Sequence, residues 1–307
     1  MRREIVAALA RGGIGAVGCI PYAVAGPLGA FFGGLGYYVN RRESGRAVTH
    51  LAMAFPEKSQ GWHRRTARRM FRHIGRTAAE YVRASRWEPE PRFRRLLLNG
   101  KEFVATVGAD TAAGRGVVTV SGHFGSWEML GLLSTAVSPV TVVARRLNDP
   151  RLDALSDELR GRAQVKVVYQ DESPRRLLRA LRNNEMLGIL ADQDLRRLPG
   201  IFVPFFEIDA YTTTAPVEIA QAGRATMRVY LLVRDPDGYR VLMSDPIPVP
   251  DRSEGAEGVR RATIAWTQFL EAQIRLRPWQ WMWMHRRWRT RPQPVNHAEQ
   301  SRIESAP

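Results

Sequence analysis

The twelve residues Val117–Glu128, VVTVSGHFGSWE, constrain the fold of this chain more than any other stretch. Four β-branched residues, Val117 to Val120, lead into a turn in which Gly122 and Gly125 flank His123, and an apolar stretch begins at Trp127. This order predicts a strand, a tight turn and a helix. A chain built around such a unit has to pack its strand in a sheet and its helix on that sheet.

The spacing of His123 and Glu128 suggests a chemical role for the turn. On one continuous helix, residues five apart point about 140° away from each other, since each residue turns roughly 100°. If His123 lies in the turn and Glu128 in the first helical turn, the carboxylate can reach one imidazole nitrogen and leave the other free as a general base. Alternatively, the histidine only ends a strand and the glutamate only favours a helix start. The spacing alone leaves both interpretations open.

Residues 95–250 alternate short apolar runs with helical stretches, which predicts an α/β fold with a mixed, mostly parallel central sheet flanked by helices. The last two predicted strands are joined through Asp235–Gly238 as a hairpin, so one pair is expected to be antiparallel. The predicted strands are Leu96–Leu98, Val117–Ser121, Thr141–Arg145, Val165–Tyr169, Met186–Ala191, Thr226–Val233 and Tyr239–Met243. Helices are predicted to start near Lys101, Ser126, Pro150, Ser173 and Thr213.

The N-terminal region is predicted to be a hydrophobic membrane-attachment segment, residues 1–45. The 29 residues from Gly12 to Asn40 carry no charge, and arginines stand on both sides of them. That length can span a bilayer, but Pro21, Pro27 and nine glycines also permit a broken helix in the membrane interface. An export signal is the weaker prediction, because Arg11 interrupts the apolar region.

Length and charge bound the remaining organisation. The 307 residues show no internal repeat or linker, so residues 46–292 are predicted to form one α/β domain, followed by a disordered polar tail, residues 293–307.

A net charge of +16, nearly all from arginine, predicts a surface that binds phosphate groups. Six arginines on a predicted helix over 62–86 either contact lipid headgroups or form a solvated face. Cys19 is the single cysteine, which excludes an intramolecular disulfide and a cysteine-cluster metal site.

Four sequence blocks in order resemble the bacterial lipid A biosynthesis acyltransferases of the lauroyl/myristoyl type. The blocks are GHFGSWE at 122–128, LADQD at 190–194, VPFF at 203–206 and HRRWRTRP at 285–292. This family is part of the wider lysophospholipid acyltransferase group with its HxxxxE or HxxxxD signature. The resemblance extends from about Pro27 to Pro292.

The resemblance implies transfer of a fatty acyl group from an acyl thioester to a hydroxyl of a lipid A-type glycolipid. His123 would be the general base, and Glu128 would fix its tautomer and stabilise the imidazolium. Backbone amides around Gly125 and Ser126 are the predicted donors to the thioester oxyanion. No metal and no other cofactor is expected, apart from the acyl donor as co-substrate.

Two further groups are predicted to bind substrate. Arg145 or Arg146 could hold a phosphate of the acceptor or of the carrier, although a surface arginine at a strand end is equally compatible with the sequence. Asp192, Gln193 and Asp194 follow a buried strand, where α/β folds bind ligands; the resemblance places them in the active site, whereas paired carboxylates alone also suggest Mg²⁺. VPFF and the C-terminal tryptophans fit either core packing or contact with acyl chains and membrane.

The expected partners are membrane lipids and a donor, either acyl carrier protein or CoA, at the cytoplasmic face of the inner membrane. No nucleic-acid-binding motif is recognisable. Alternatives are an acyltransferase acting on another phosphoglycolipid or on a lysophospholipid, and a non-catalytic membrane scaffold. Glu207 stands where the family usually has glycine, and Ser126 where asparagine is common, so the acceptor is not predicted. Nor does the sequence predict acyl-chain length or oligomeric state.

Overall fold

The fold is organised around a six-stranded sheet whose strands all run parallel except at one edge. A computed structural model of the chain describes residues 2–292. The sheet contains β1 (Val117–Ser121), β2 (Val140–Ala144), β3 (Val165–Tyr169), β4 (Met186–Leu190), β7 (Thr226–Asp235) and β8 (Gly238–Met243). Their order is β3-β2-β4-β1-β7-β8, and only β7 and β8 pair antiparallel. The predicted mixed, mostly parallel sheet is confirmed.

A separate two-stranded hairpin, β5 (Gly200–Phe205) and β6 (Ile208–Thr213), was not predicted from the sequence. It contains the VPFF block, and Phe205 and Phe206 are buried in the core. They pack against Trp281, Trp283 and Trp288, all of which are buried. These aromatic side chains therefore form core beneath the sheet edge.

Helices cover the sheet. They are α1 (Arg2–Cys19), α2 (Tyr22–Val39), α3 (Arg41–Ala54), α4 (Gln60–Ala84), α5 (Pro89–Leu96), α6 (Gly100–Thr111), α7 (Trp127–Ser134), α8 (Pro150–Arg162), α9 (Arg175–Arg182), α10 (Ala215–Gly223) and α11 (Gly255–Leu276). The predicted strand Leu96–Leu98 is wrong: α5 ends there, and only Leu97 forms an isolated bridge, to Tyr239. The proline and the acidic residue at the start of α5 favour a helix.

The N-terminal segment is a broken helix. α1 ends at Cys19, and α2 begins after Pro21 and continues through Pro27. α2 packs closely on α4, because a Cβ atom at Gly29 or Gly75 would overlap the backbone of the other helix. No helix among residues 2–292 is long and apolar enough to cross a membrane, so membrane attachment through this segment stays a prediction. The predicted tail, residues 293–307, lies outside the described residues.

Candidate active site

Two neighbouring strand ends bring His123 and Asp192 together. β1 and β4 are parallel and in register, with Ser121 opposite Leu190, so the residues that follow each strand emerge side by side. His123 Nδ1 donates to Asp192 Oδ1 over 2.7 Å, and the His123 backbone N–H donates to Asp192 Oδ2 over 2.8 Å. Because a carboxylate only accepts, Nδ1 carries the proton and the lone pair of the neutral imidazole lies on Nε2.

The Asp192 carboxylate is buried and held ionised. It is 1% exposed, and Trp281 Nε1 also donates to its Oδ2 over 2.8 Å. Burial alone would raise the pKa of Asp192, but attraction to His123 and the hydrogen bonds from His123 and Trp281 outweigh it and hold this pKa well below its usual range. Asp192 therefore orients the imidazole and can stabilise positive charge on it.

Glu128 does not contact His123, which corrects the expected pairing of these two residues. Its carboxylate binds Arg160 of α8 in a bidentate pair, with Arg160 Nη2 2.6 Å from Oε1 and Nε 3.2 Å from Oε2. Glu128 lies in the first turn of α7, which faces α8, whereas the turn aims His123 at the end of β4. Sequence spacing showed that a carboxylate could reach the imidazole, but the register of β1 and β4 supplies Asp192 instead.

Gly125 and Ser126 do not present free amides to the site. The Gly125 N–H donates to the Gln280 carbonyl and the Ser126 N–H to the Leu232 carbonyl, each over 2.8 Å. The Gly125 carbonyl in turn accepts from His73 Nε2 over 3.0 Å. Gly125 has φ +61°, and a Cβ atom there would overlap the Leu232 carbonyl, so glycine is required. These bonds fix the turn that carries His123, and neither amide is free to act as the predicted oxyanion donor.

Gln193 and His285 complete the surroundings of the imidazole. The Gln193 amide nitrogen lies 3.2 Å from His123 Nε2 and 3.2 Å from His285 Nε2, and the two imidazole rings are 4.4 Å apart between centroids. Burial, followed by the proximity of His123, lowers the pKa of His285 to about 4. His285 is part of the HRRWRTRP block, but no spacing in the sequence indicated that it would lie beside His123.

Of the remaining predicted residues, Asp194 holds another segment of the chain, and Arg145 and Arg146 are exposed. Asp194 accepts from both the backbone N–H and the hydroxyl of Thr290, at 2.6 and 2.8 Å, and so fixes the C-terminal segment. Arg146 lies 3.8 Å over the Tyr169 ring and pairs with Asp171 at 3.2 Å. Arg145 is exposed and has no carboxylate partner within residues 2–292. Of the two arginines, Arg145 is the one available to a ligand.

Three cavities adjoin one another by sharing lining residues, and His123 lines the central one. The central one, about 370 Å³, is lined by His123, Trp127, Glu128, Arg160 and Gln193 among others. It shares Trp127 and Glu128 with a narrow apolar cavity of about 70 Å³ that runs along β1, β2 and β4 past Gly188.

On its other side the central cavity shares Arg145 and Gln193 with a third cavity of about 710 Å³. The arginines of this third cavity are Arg145, Arg146, Arg196, Arg197, Arg286 and Arg289. The cavity that contains the imidazole therefore adjoins both an apolar-lined cavity and an arginine-lined one.

The chain matches one family model and several known proteins over most of its length. Residues 1–290 match the family model described as bacterial lipid A biosynthesis acyltransferase. The chain is 28% identical to the lipid A biosynthesis lauroyltransferase of Escherichia coli strain K12 over 281 residues, which is 90% of this chain and 89% of that protein. It is 26% identical to the palmitoleoyltransferase of the same strain over 277 residues, 89% and 87% of the two chains. A lipid A biosynthesis acyltransferase of Haemophilus influenzae is 26% identical over 239 residues, 76% and 75% of the two chains.

Proposed function

Because this chain belongs to the bacterial lipid A biosynthesis acyltransferase family, we propose that it transfers a fatty acyl group from an acyl thioester to a hydroxyl of a lipid A-type glycolipid precursor, with His123 as the general base. The observation that carries the proposal is the His123–Asp192 pair, whose imidazole lines a cavity that shares residues with an apolar cavity and with an arginine-rich one. The apolar cavity suits an acyl chain, and the arginines suit phosphate groups of the acceptor or of the donor carrier.

The chemical step follows from the tautomer that Asp192 imposes. A lipid hydroxyl that reaches His123 Nε2 displaces the Gln193 amide and donates its proton as its oxygen attacks the thioester carbonyl carbon. The C–O bond forms, the C–S bond breaks, and the proton passes from the imidazolium to the leaving sulfur as a free thiol. Asp192 stabilises the imidazolium between these two transfers, and general-base help of this kind contributes about 10²- to 10⁴-fold.

The oxyanion that forms during the attack needs donors other than Gly125 and Ser126. We take two N–H donors of the central cavity as candidates: the Gln193 side-chain amide, which lies 3.2 Å from His123 Nε2, and the Arg160 guanidinium, which lines the same cavity. Arg160 is held by Glu128, and its charge is suited to a developing negative oxygen. Glu128 then acts on the reaction by positioning Arg160.

The experiment that tests this function is a donor and acceptor panel with purified protein in detergent. Labelled acyl-acyl carrier protein and labelled acyl-CoA are each offered a lipid A precursor, a lysophospholipid and a bacterial lipid extract. The proposal predicts label in the lipid A precursor, with release of the free thiol. Label only in a lysophospholipid or in another glycolipid of the extract would assign the same chemistry to a different acceptor. No transfer to any lipid by the folded protein would contradict the proposal.

A further inference from the structure

A second basic cavity lies away from His123, at the junction of α4, the β7–β8 turn and the segment after α11. Its volume is about 660 Å³, and none of its lining residues lines the three adjoining cavities of the candidate active site. Its arginines are Arg69, Arg72, Arg76, Arg234 and Arg277. The proposed acyl transfer gives this cavity no role.

Some arginines of this second basic cavity are held by a buried carboxylate, and others are free to bind a ligand. The Glu80 carboxylate is 2% exposed and accepts a hydrogen bond from Arg234 Nε over 3.1 Å. Arg76 Nη1 lies 3.7 Å from the same carboxylate. The single acidic lining residue, Asp235, is bound to Arg240. No carboxylate among residues 2–292 pairs with Arg69, Arg72 or Arg277. Three unpaired guanidinium groups around one cavity match an anion with several acceptor oxygens.

One wall of the cavity connects it to an apolar surface. Arg69 lies 3.4 Å over the Trp279 ring, and Ala30 of α2 closes the opposite side. Along α2, Gly34 approaches Arg72, and Tyr38 accepts from Arg68 Nη1 at 3.2 Å. A row of α4 arginines therefore follows the α2 positions 30, 34 and 38.

Large apolar side chains of α2 are exposed next to this row. They are Val24, Leu28, Phe31, Phe32, Leu35, Tyr38 and Val39, each at least 38% exposed. Residues 24, 28, 31, 35 and 38 recur at helical spacing and form one apolar stripe. A row of cations beside an apolar stripe is the arrangement that binds the boundary between lipid headgroups and acyl chains.

We propose that the second basic cavity binds the phosphate of an anionic glycerophospholipid headgroup while the apolar stripe of α2 contacts that lipid's acyl region. Phosphate is the group the guanidiniums recognise, and the adjoining stripe favours a lipid over free phosphate. This goes beyond the proposed function, because it needs neither an acyl donor nor His123.

The test compares two double variants that remove the same charge. Arg72→Gln/Arg277→Gln removes two unpaired arginines of the cavity. Arg64→Gln/Arg65→Gln removes two exposed arginines of the same helix that do not line it. His73 and Gln280 are left intact although they line the cavity, because both hold the Gly125 peptide of the turn that carries His123.

Binding is measured by flotation with vesicles of phosphatidylcholine alone and of phosphatidylcholine mixed with phosphatidylglycerol, at fixed ionic strength. We expect the wild type to bind the mixed vesicles more tightly, and Arg72→Gln/Arg277→Gln to weaken that binding by about tenfold. Arg64→Gln/Arg65→Gln should change it by less than about twofold. Equal losses in both variants would reduce the effect to general surface charge and overturn the proposal, as would no loss in either.

A second arm separates the lipid from free phosphate. Inorganic phosphate, added in place of chloride at the same ionic strength, is expected to leave binding to mixed vesicles unchanged. If it releases the wild type from those vesicles, the cavity recognises phosphate alone without help from the apolar stripe of α2, and the proposed preference for a lipid is overturned. Acyl transfer in detergent should be retained by Arg72→Gln/Arg277→Gln, so a failure of this proposal and a failure of the proposed function give different results.

Discussion

Among single residues, the proposed chemistry depends on which carboxylate binds the His123 imidazole. Asp192 contacts the imidazole, whereas Glu128 of the HxxxxE pattern binds Arg160. The two carboxylates therefore have separate contacts: Asp192 binds the imidazole that we propose as the base, and Glu128 binds a cation of the cavity wall. Removing each charge should change different kinetic properties.

Asp192→Asn is expected to lower kcat by about 10²- to 10⁴-fold, because the amide no longer stabilises the imidazolium and can impose the wrong tautomer. The measurement is acyl transfer under saturating donor, together with its pH profile. Asp194→Asn is the matched control: it follows the same strand but binds Thr290, so kcat should fall far less. An Asp192→Asn enzyme with nearly normal kcat would show that His123 does not depend on this carboxylate.

His73, which is buried, and His285, which is half-buried, are expected to make stability depend on pH. Burial lowers the pKa of His73, and burial together with His123 lowers that of His285, each from 6.5 to about 4. Between pH 6.5 and about pH 4 the unfolded chain binds protons that the folded chain does not, so a lower pH favours unfolding. The free energy of unfolding is therefore at its full value above the unfolded pKa and falls as the pH drops towards about 4. Each histidine should contribute roughly 3 kcal/mol to this change.

Urea unfolding at about pH 7.5 and about pH 5 checks this expectation. The wild type should lose stability at the lower pH, and His73→Gln should lose less because one titrating group is gone. Identical pH dependence in the two proteins would mean that His73 does not contribute to it.

Among the elements, the turn of the β5–β6 hairpin contains Glu207, where the family usually has glycine. Phe205 pairs with Ile208, so Phe206 and Glu207 form a two-residue turn, with φ +54° and +61°. Both values lie in the left-handed region, where glycine is favoured in such turns. The glycine that the family usually has at this position therefore has a conformational reason, and Glu207 is held in strain.

Glu207→Gly is expected to raise the free energy of unfolding by about 0.5 to 1 kcal/mol, since relief of left-handed strain exceeds the added entropy of the unfolded chain. Glu57→Gly, in an exposed turn without positive φ, is the control and should be neutral or destabilising. Chemical denaturation of both variants measures the difference. A destabilised Glu207→Gly protein would show that the glutamate side chain contributes more than the strain it imposes.

The elements could be predicted from sequence wherever the pattern was local. β1 and β3 have the predicted bounds. The helices α6 to α10 start within two residues of the predicted positions, which were Lys101, Ser126, Pro150, Ser173 and Thr213. The contact of His123 with Asp192 and His285 could not be predicted, because it depends on strand register and on how the C-terminal segment pairs with the turn. Likewise, free amides were expected at Gly125 and Ser126 because their partners, Gln280 and Leu232, are distant in sequence.

In the whole molecule, the cavity lined by His123 shares residues with an apolar cavity and with an arginine-rich one, which we propose hold the acyl chain and the anionic groups of the substrates. The apolar cavity runs beside the sheet because Gly188 of β4 leaves space there; a Cβ atom at Gly188 would lie 3.3 Å from Val142 Cγ1. If the donor's acyl chain occupies this cavity, residue 188 limits the length that fits.

Gly188→Val is therefore expected to shift donor preference towards shorter acyl chains by about tenfold, through a higher KM for long-chain donors. Gly188→Ala should give a smaller shift in the same direction, and Gly108→Ala, where a Cβ atom meets nothing within 4 Å, should give none. Competition between donors of different chain length in one reaction measures the ratio. An unchanged ratio in folded Gly188→Val protein would place the acyl chain elsewhere.

The most direct test of the central claim is acyl transfer by the wild type and by His123→Ala, measured side by side with the donor and lipid A precursor that the panel selects. We expect His123→Ala to lower the transfer rate by at least about 10³-fold while the protein stays folded and keeps its binding to anionic vesicles. Transfer by His123→Ala at close to the wild-type rate would contradict the assignment of the base and, with it, the site built around Asp192.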